Sequence, residues 1–127
     1  MRYAILGLAM LGAMVASPAK GWSGNDFIAL CGSDPKRDRC DMYMLGWLGG
    51  FRGMNEAMLL AAGATLEQIN QNALRNPVAK ICLPLEVTPG QLVAVLLKYL
   101  RDNPGTRHFE NRVLIHHAFH KAFPCKR

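Results

Sequence analysis

Hydrophobic positions over residues 20–127 recur at helical spacing, and the gaps between them carry helix-start and helix-stop residues instead of hairpin turns. Ser23 stands where it can cap a short helix reaching about Cys31, with Asp26 near its positive N-terminal end. Asp34-Pro35 reads as cap and first-turn proline of a long helix from about Lys36 to Ala62, with Gly63 as its stop. Thr65 and Gln68 form a capping box for a short helix through about Leu74. Thr88-Pro89-Gly90-Gln91 supplies cap, first-turn proline and box partner for a helix reaching Arg101 or Asp102, where Pro104-Gly105 breaks it. A last helix runs from about Phe109 to Phe123 and ends at Pro124. No stretch sustains period-two alternation with turn chemistry, so no sheet is expected. The chain shows no internal repeat, low-complexity segment or interdomain linker. The expectation is an all-α fold: one domain over residues 20–127, built as a small disulfide-stapled bundle of about five helices.

Two helices carry unusual faces. In the Thr88 helix, Leu92, Val93, Val95, Leu96, Leu97, Tyr99 and Leu100 cover more than half the circumference, leaving Ala94, Lys98 and Arg101 on a narrow edge. A helix that apolar belongs at the centre of a core or in a subunit contact. The long helix places Gly46, Gly49, Gly50 and Gly53 within about a quarter-turn of one another. Each glycine costs about 1 kcal/mol relative to alanine in a helix interior, so four on one face imply a compensating gain. The first expectation is close approach of a neighbouring helix, and the second a flat face for another chain.

Composition then sets the compartment. Met1-Arg2-Tyr3, the apolar run Ala4 to Val15 and the small residues of Ser17-Pro18-Ala19 read as a signal peptide over residues 1–19, cut after Ala19. Pro18 and Lys20 interrupt the run before membrane-spanning length, and no cysteine follows the cut to carry a lipid, so no stable membrane anchor is expected after cleavage. Cys31, Cys40, Cys82 and Cys125 lack the tight Cys-x-x-Cys of a metal site and read as a disulfide framework. Four cysteines allow three connectivities, among which sequence alone does not choose. Geometry favours Cys31 with Cys40, which flank one turn, and Cys82 with Cys125, which lie at the ends of consecutive antiparallel helices. Loop-closure entropy assigns about 3 kcal/mol to the short loop and about 4 to the long one.

Catalytic chemistry is sparse. His116, His117 and His120 offer helical pairs that could present two imidazoles to a metal, but they fall opposite the arc Leu114, Ile115, Ala118, Phe119 and Ala122. No glutamate sits between them in a zincin arrangement, so no metal is expected. No Gly-x-Ser-x-Gly elbow or phosphate loop occurs, and the acids Asp34, Asp38 and Asp41 suit helix-dipole roles. The reading is a protein without enzymatic activity or cofactor. The net charge of +6 has no basic stripe interleaved with exposed aromatics, so nucleic acid is not an expected partner.

An ordered set of blocks carries a resemblance. Gly24-Asn25-Asp26-Phe27-Ile28-Ala29-Leu30-Cys31, then Cys40 opening a helix with Tyr43, Gly46 and Gly49, then Ile81-Cys82-Leu83-Pro84 and Val87-Thr88-Pro89-Gly90-Gln91-Leu92, then Leu100 to Pro104 and Ala122-Phe123-Pro124-Cys125 resemble the Rap/Tai family of type VI secretion amidase immunity proteins. The resemblance spans nearly the whole chain after Ala19 and is most specific around Cys82 and Cys125. It implies an all-helical, disulfide-bonded periplasmic protein of a Gram-negative bacterium that binds a peptidoglycan-cleaving amidase effector and occludes its active site. It also implies a homodimer.

The matching residues build the fold, so none transfers as a contact residue. The stretch Gly63 to Lys80 carries none of the resemblance and becomes the candidate binding surface, with Glu67, Gln68, Asn72 and Arg75 as contacts. The alternatives are a general periplasmic helper or cell-wall-associated binding protein, using Leu92 to Leu100 as a surface that opens under stress, and a metal binder through His116 and His120.

Overall fold

Three helices begin with the same reciprocal contact. In a computed structural model, which describes residues 20–33 and 37–126, Ser23, Thr65 and Thr88 each accept a hydrogen bond from the backbone three residues on. The side-chain oxygens of Asp26, Gln68 and Gln91 in turn accept from the cap N–H groups at 2.8, 2.8 and 2.9 Å. Each box satisfies two amide groups that a helix start otherwise leaves open. The helices so started are α1 (Gly24–Cys31), α3 (Leu66–Asn72) and α4 (Pro89–Asp102). The others are α2 (Arg37–Ala61) and α5 (Asn111–Ala122). Gly63, at φ +80°, stops the chain after α2 in a conformation that glycine adopts without strain. The expected signal peptide over residues 1–19 and the expected Asp34-Pro35 helix start lie outside the described residues.

α4 forms the centre. Leu92, Val93, Leu96, Leu97 and Leu100 are at most 3% exposed, and α1, α2 and α5 pack around them. Ala94, Lys98 and Arg101 remain on the exposed edge, as the helical wheel requires. α5 contributes Leu114, Ile115, Ala118 and Phe119 to the core, while Ala122 is exposed. Where α1 crosses, a Cβ on Gly24 would lie 2.7 Å from Leu114 Cδ1 and 2.8 Å from Leu100 Cδ2, so a larger residue would force those core leucines to shift. Cys31 is bonded to Cys40 and Cys82 to Cys125, with Cα separations of 5.8 and 4.9 Å.

Two expectations need correction. A sheet was not foreseen, yet β1 (Arg75–Asn76) pairs antiparallel with β2 (Ile81–Cys82), Arg75 opposite Cys82. Two-residue strands are too short to display alternation, and what holds them is tertiary: Cys82 N donates to Phe123 O at 2.9 Å and Ile81 bridges to Pro124. The second correction concerns Gly46, Gly49, Gly50 and Gly53. A Cβ at any of them would meet nothing within 4 Å among the described residues, so no described helix of the protomer lies on that face. α2 instead meets the core through the opposite side, where Cys40, Met44, Phe51 and Asn55 are buried. The reason is area: burying Phe51 and Met44 removes far more apolar surface from water than glycines can.

Candidate partner-binding surface

From Gly63 to Lys80 the chain leaves α2, forms α3, and turns through β1 into β2. Three of the four candidate contacts there are engaged in their own helix. Gln68 completes the box with Thr65, Asn72 Nδ2 donates to Gln68 O at 2.8 Å, and Glu67 accepts a hydrogen bond from Gln71. Arg75 differs, being exposed with no side-chain hydrogen bond or ion pair to any described residue. Leu66 and Val78 are 82% and 80% exposed, so the segment also offers apolar contact.

The segment is anchored by a polar pair that the sequence reading missed. Asn55 and Asn76 are 3% and 4% exposed, and Asn76 Nδ2 donates to Asn55 Oδ1 at 2.9 Å. Asn55 Nδ2 donates to Ala73 O at 2.9 Å, and Ala79 N donates to Asn76 Oδ1 at 2.8 Å. Buried amides are tolerated when satisfied in this way, and they hold the segment in one position against α2. The available signal was Asn55 itself, a polar residue four after Phe51 on the buried face of α2.

A second accessible surface is the outer face of α2. On and beside the four glycines, Met42, Leu45, Met54 and Leu60 stay 48% to 66% exposed. The nearest charges, Arg52 and Glu56, neutralise each other at 2.8 Å along its edge.

Little here is arranged for chemistry. His116, His117 and His120 are exposed around a hollow of about 330 Å³, with the His116 ring edge-on to Trp47. Among the described residues no group of three His, Cys, Asp or Glu side chains could hold a metal ion. The hydrogen bonds that Asp26 accepts from Ser23, backbone first and hydroxyl second, hold its carboxyl below the usual aspartate range. That shift serves a helix cap. Buried Asn111 donates from its backbone to Trp22 O and from Nδ2 to Tyr43 Oη at 3.2 Å, and the Trp22 and Tyr43 rings stack on each other, tying the start of α5 to both.

A family model described as Rap1a immunity proteins matches residues 23–125. The chain belongs to the Rap1a immunity protein family. No curated protein and no solved structure matches it with significance. The matched span opens at the Ser23 cap and closes at Cys125, so both disulfides and all five helices described above lie inside the Rap1a domain. Rap1a membership assigns an immunity role, exercised by binding a protein effector, and immunity proteins are in general not enzymes. Two disulfides fit a Rap1a protein that works outside the cytoplasm, where such bonds persist.

Proposed function

We propose that the protein is a periplasmic immunity protein of type VI secretion that binds a peptidoglycan amidase effector and blocks its active site. The observation that carries this reading is the family match over residues 23–125. Residues 1–19 are its signal peptide, and residues 20–127 the exported domain. Inhibition by occlusion needs a surface held rigid before binding, which limits the entropy lost in the complex. The Asn55–Asn76 pair and the Cys82–Cys125 bond supply that rigidity on both sides of the Gly63 to Lys80 segment. Arg75 is its most available polar contact, with Glu67, Gln68 and Asn72 shaping the surface beside it. A helper acting through Leu92 to Leu100 is disfavoured, because those leucines and Val93 form the centre of the core and could be presented only by unfolding.

The test is capture by the oxidised 20–127 protein from periplasmic extract and culture supernatant of its host, mass spectrometry, and assay of the captured protein on purified peptidoglycan. One stoichiometric amidase, inhibited on binding, is expected. A diffuse set of weak binders, or a captured hydrolase that stays active in the complex, rejects the proposal.

The outer face of α2 suits a second copy of the chain, since four glycines let another backbone approach closely. Sedimentation of Gly50→Leu is expected to report a monomer where the wild type is a dimer, with an unchanged helical circular dichroism spectrum. A wild-type protein that sediments as a monomer rejects the dimer.

A further inference from the structure

A hollow of about 320 Å³ opens where the end of α3, the β1–β2 pair and the chain after α5 meet. Arg75 and Lys126 both line it, with Gln71 beside them and Leu83, Pro84 and Leu85 among the apolar walls. No carboxylate and no aromatic ring lies among its described lining residues. The two cations are far apart in sequence, yet their backbone positions are tied together. Arg75 stands opposite Cys82 in the ladder, Cys82 is bonded to Cys125 across 4.9 Å between Cα atoms, and Lys126 is the next residue. Neither cation is ion-paired to a described residue. Two like charges lining one partly apolar hollow leave a positive potential that no described carboxylate in its lining neutralises.

We infer that this hollow receives an acidic side chain, aspartate or glutamate, presented on an apolar loop of the protein partner. An arginine fork matches a carboxylate with two parallel hydrogen bonds, and the flexible lysine adds a second charge. The leucine and proline walls offer apolar contact beside the pair, so a docked loop would shield it from water and strengthen it. Leu85, 61% exposed at the rim, gives flanking apolar residues of the loop a place to pack. The lining offers a glycan no ring to stack on, which favours a protein segment over a cell-wall polymer. The inference rests on the immunity reading for one point, that the partner is a protein.

The hollow is tested first without the effector. The isotope-labelled, oxidised protein is titrated with the blocked peptide Leu-Glu-Leu-Glu, its Leu-Gln-Leu-Gln counterpart, sodium acetate and a soluble muropeptide. Saturable amide shifts at Gln71, Arg75, Leu85 and Lys126 are expected with the acidic peptide, about tenfold tighter than with the glutamine peptide. They are expected to vanish in the Arg75→Ala, Lys126→Ala protein. No response to the acidic peptide, equal affinity for both peptides, or tighter binding of acetate or muropeptide overturns the inference. Both side chains are exposed, and an unchanged melting curve of the variant confirms that folding is intact. The second arm uses the amidase captured above: Arg75→Glu with Lys126→Glu is expected to weaken its binding about 30-fold. Unchanged affinity overturns the docking site and leaves the immunity reading standing. If no effector is captured by the wild type, the immunity reading falls and the peptide titration alone decides the hollow.

Discussion

α4 buries Leu92, Val93, Leu96, Leu97 and Leu100 to 3% exposure or less, whereas α2 leaves Met42, Leu45, Met54, Met58 and Leu60 at 48% to 66%. Both helices are rich in apolar residues, and the arrangement around them differs. α4 presents bulky side chains on most of its circumference, and three helices pack on it. α2 buries Met44 and Phe51 on one side and carries glycines, flanked by exposed Met42, Leu45, Met54 and Leu60, on the other. Packing follows apolar area, and no described helix covers the glycine side. What remains is a smooth, weakly charged face open to another molecule. Apolar content alone therefore does not mark a core helix; the distribution of side-chain volume around the axis does.

The contrast can be broken most forcefully at the covalent staples. Replacing Cys82 and Cys125 with serine, which frees β2 and the end of α5 beside α4, is expected to lower stability by about 4 kcal/mol in urea denaturation. The Cys31, Cys40 double serine variant at the start of α2 should lose about 3. A reversed order would show that the short loop holds more native structure than its length suggests. Next in size, Leu96→Ala should cost about 3 kcal/mol through the cavity left in the core. Met54→Ala on the open side of α2 should stay within about 0.5 kcal/mol in the monomer, and comparable losses at both sites would erase the distinction between the helices.

Asn55→Ala probes the buried side of α2. It leaves Asn76 and the Ala73 carbonyl without their partner, at a cost of about 2 kcal/mol, and should raise hydrogen exchange at Ala79. A variant as stable as wild type would mean that water replaces the lost amide. Smaller still, Gly50→Ala is expected to stabilise the monomer by about 1 kcal/mol, because its Cβ enters open space and alanine suits a helix better. A loss of stability there would place an atom against that face.

The smallest effect concerns the cap of α1, which packs on both α2 and α4. The Asp26 carboxyl is held below its usual range by Ser23, so its contribution is present above the unfolded aspartate value and fades as pH falls through the folded one. The stability difference between wild type and Asp26→Asn should therefore be constant near neutrality and shrink below about pH 4. A difference that persists unchanged in acid would assign the effect to the amide's geometry instead of the carboxylate's charge.

Much of the fold was legible because capping is local. Ser23 with Asp26, Thr65 with Gln68 and Thr88 with Gln91 each lie three residues apart, and the glycine and proline stops act on their own neighbourhoods. The candidate surface was legible only as a region. Gln68 and Asn72 are polar residues whose side chains the helix itself engages, which a sequence cannot distinguish from residues free to meet a partner. Arg75 stands out only once β1 places it on the surface.

The sequence by itself determined the helical segments, their ends, the apolar faces of α4 and α5 and a cysteine spacing that favours the observed pairing. These depend on contacts within a turn or two of chain, or on loop lengths that can be counted. Only the tertiary structure decided that β1 pairs with β2, that Asn55 satisfies Asn76, that the glycine face of α2 stays open and that Arg75 and Lys126 line one hollow. Each of these depends on which distant segments meet, and that is settled by burial of the whole apolar surface at once.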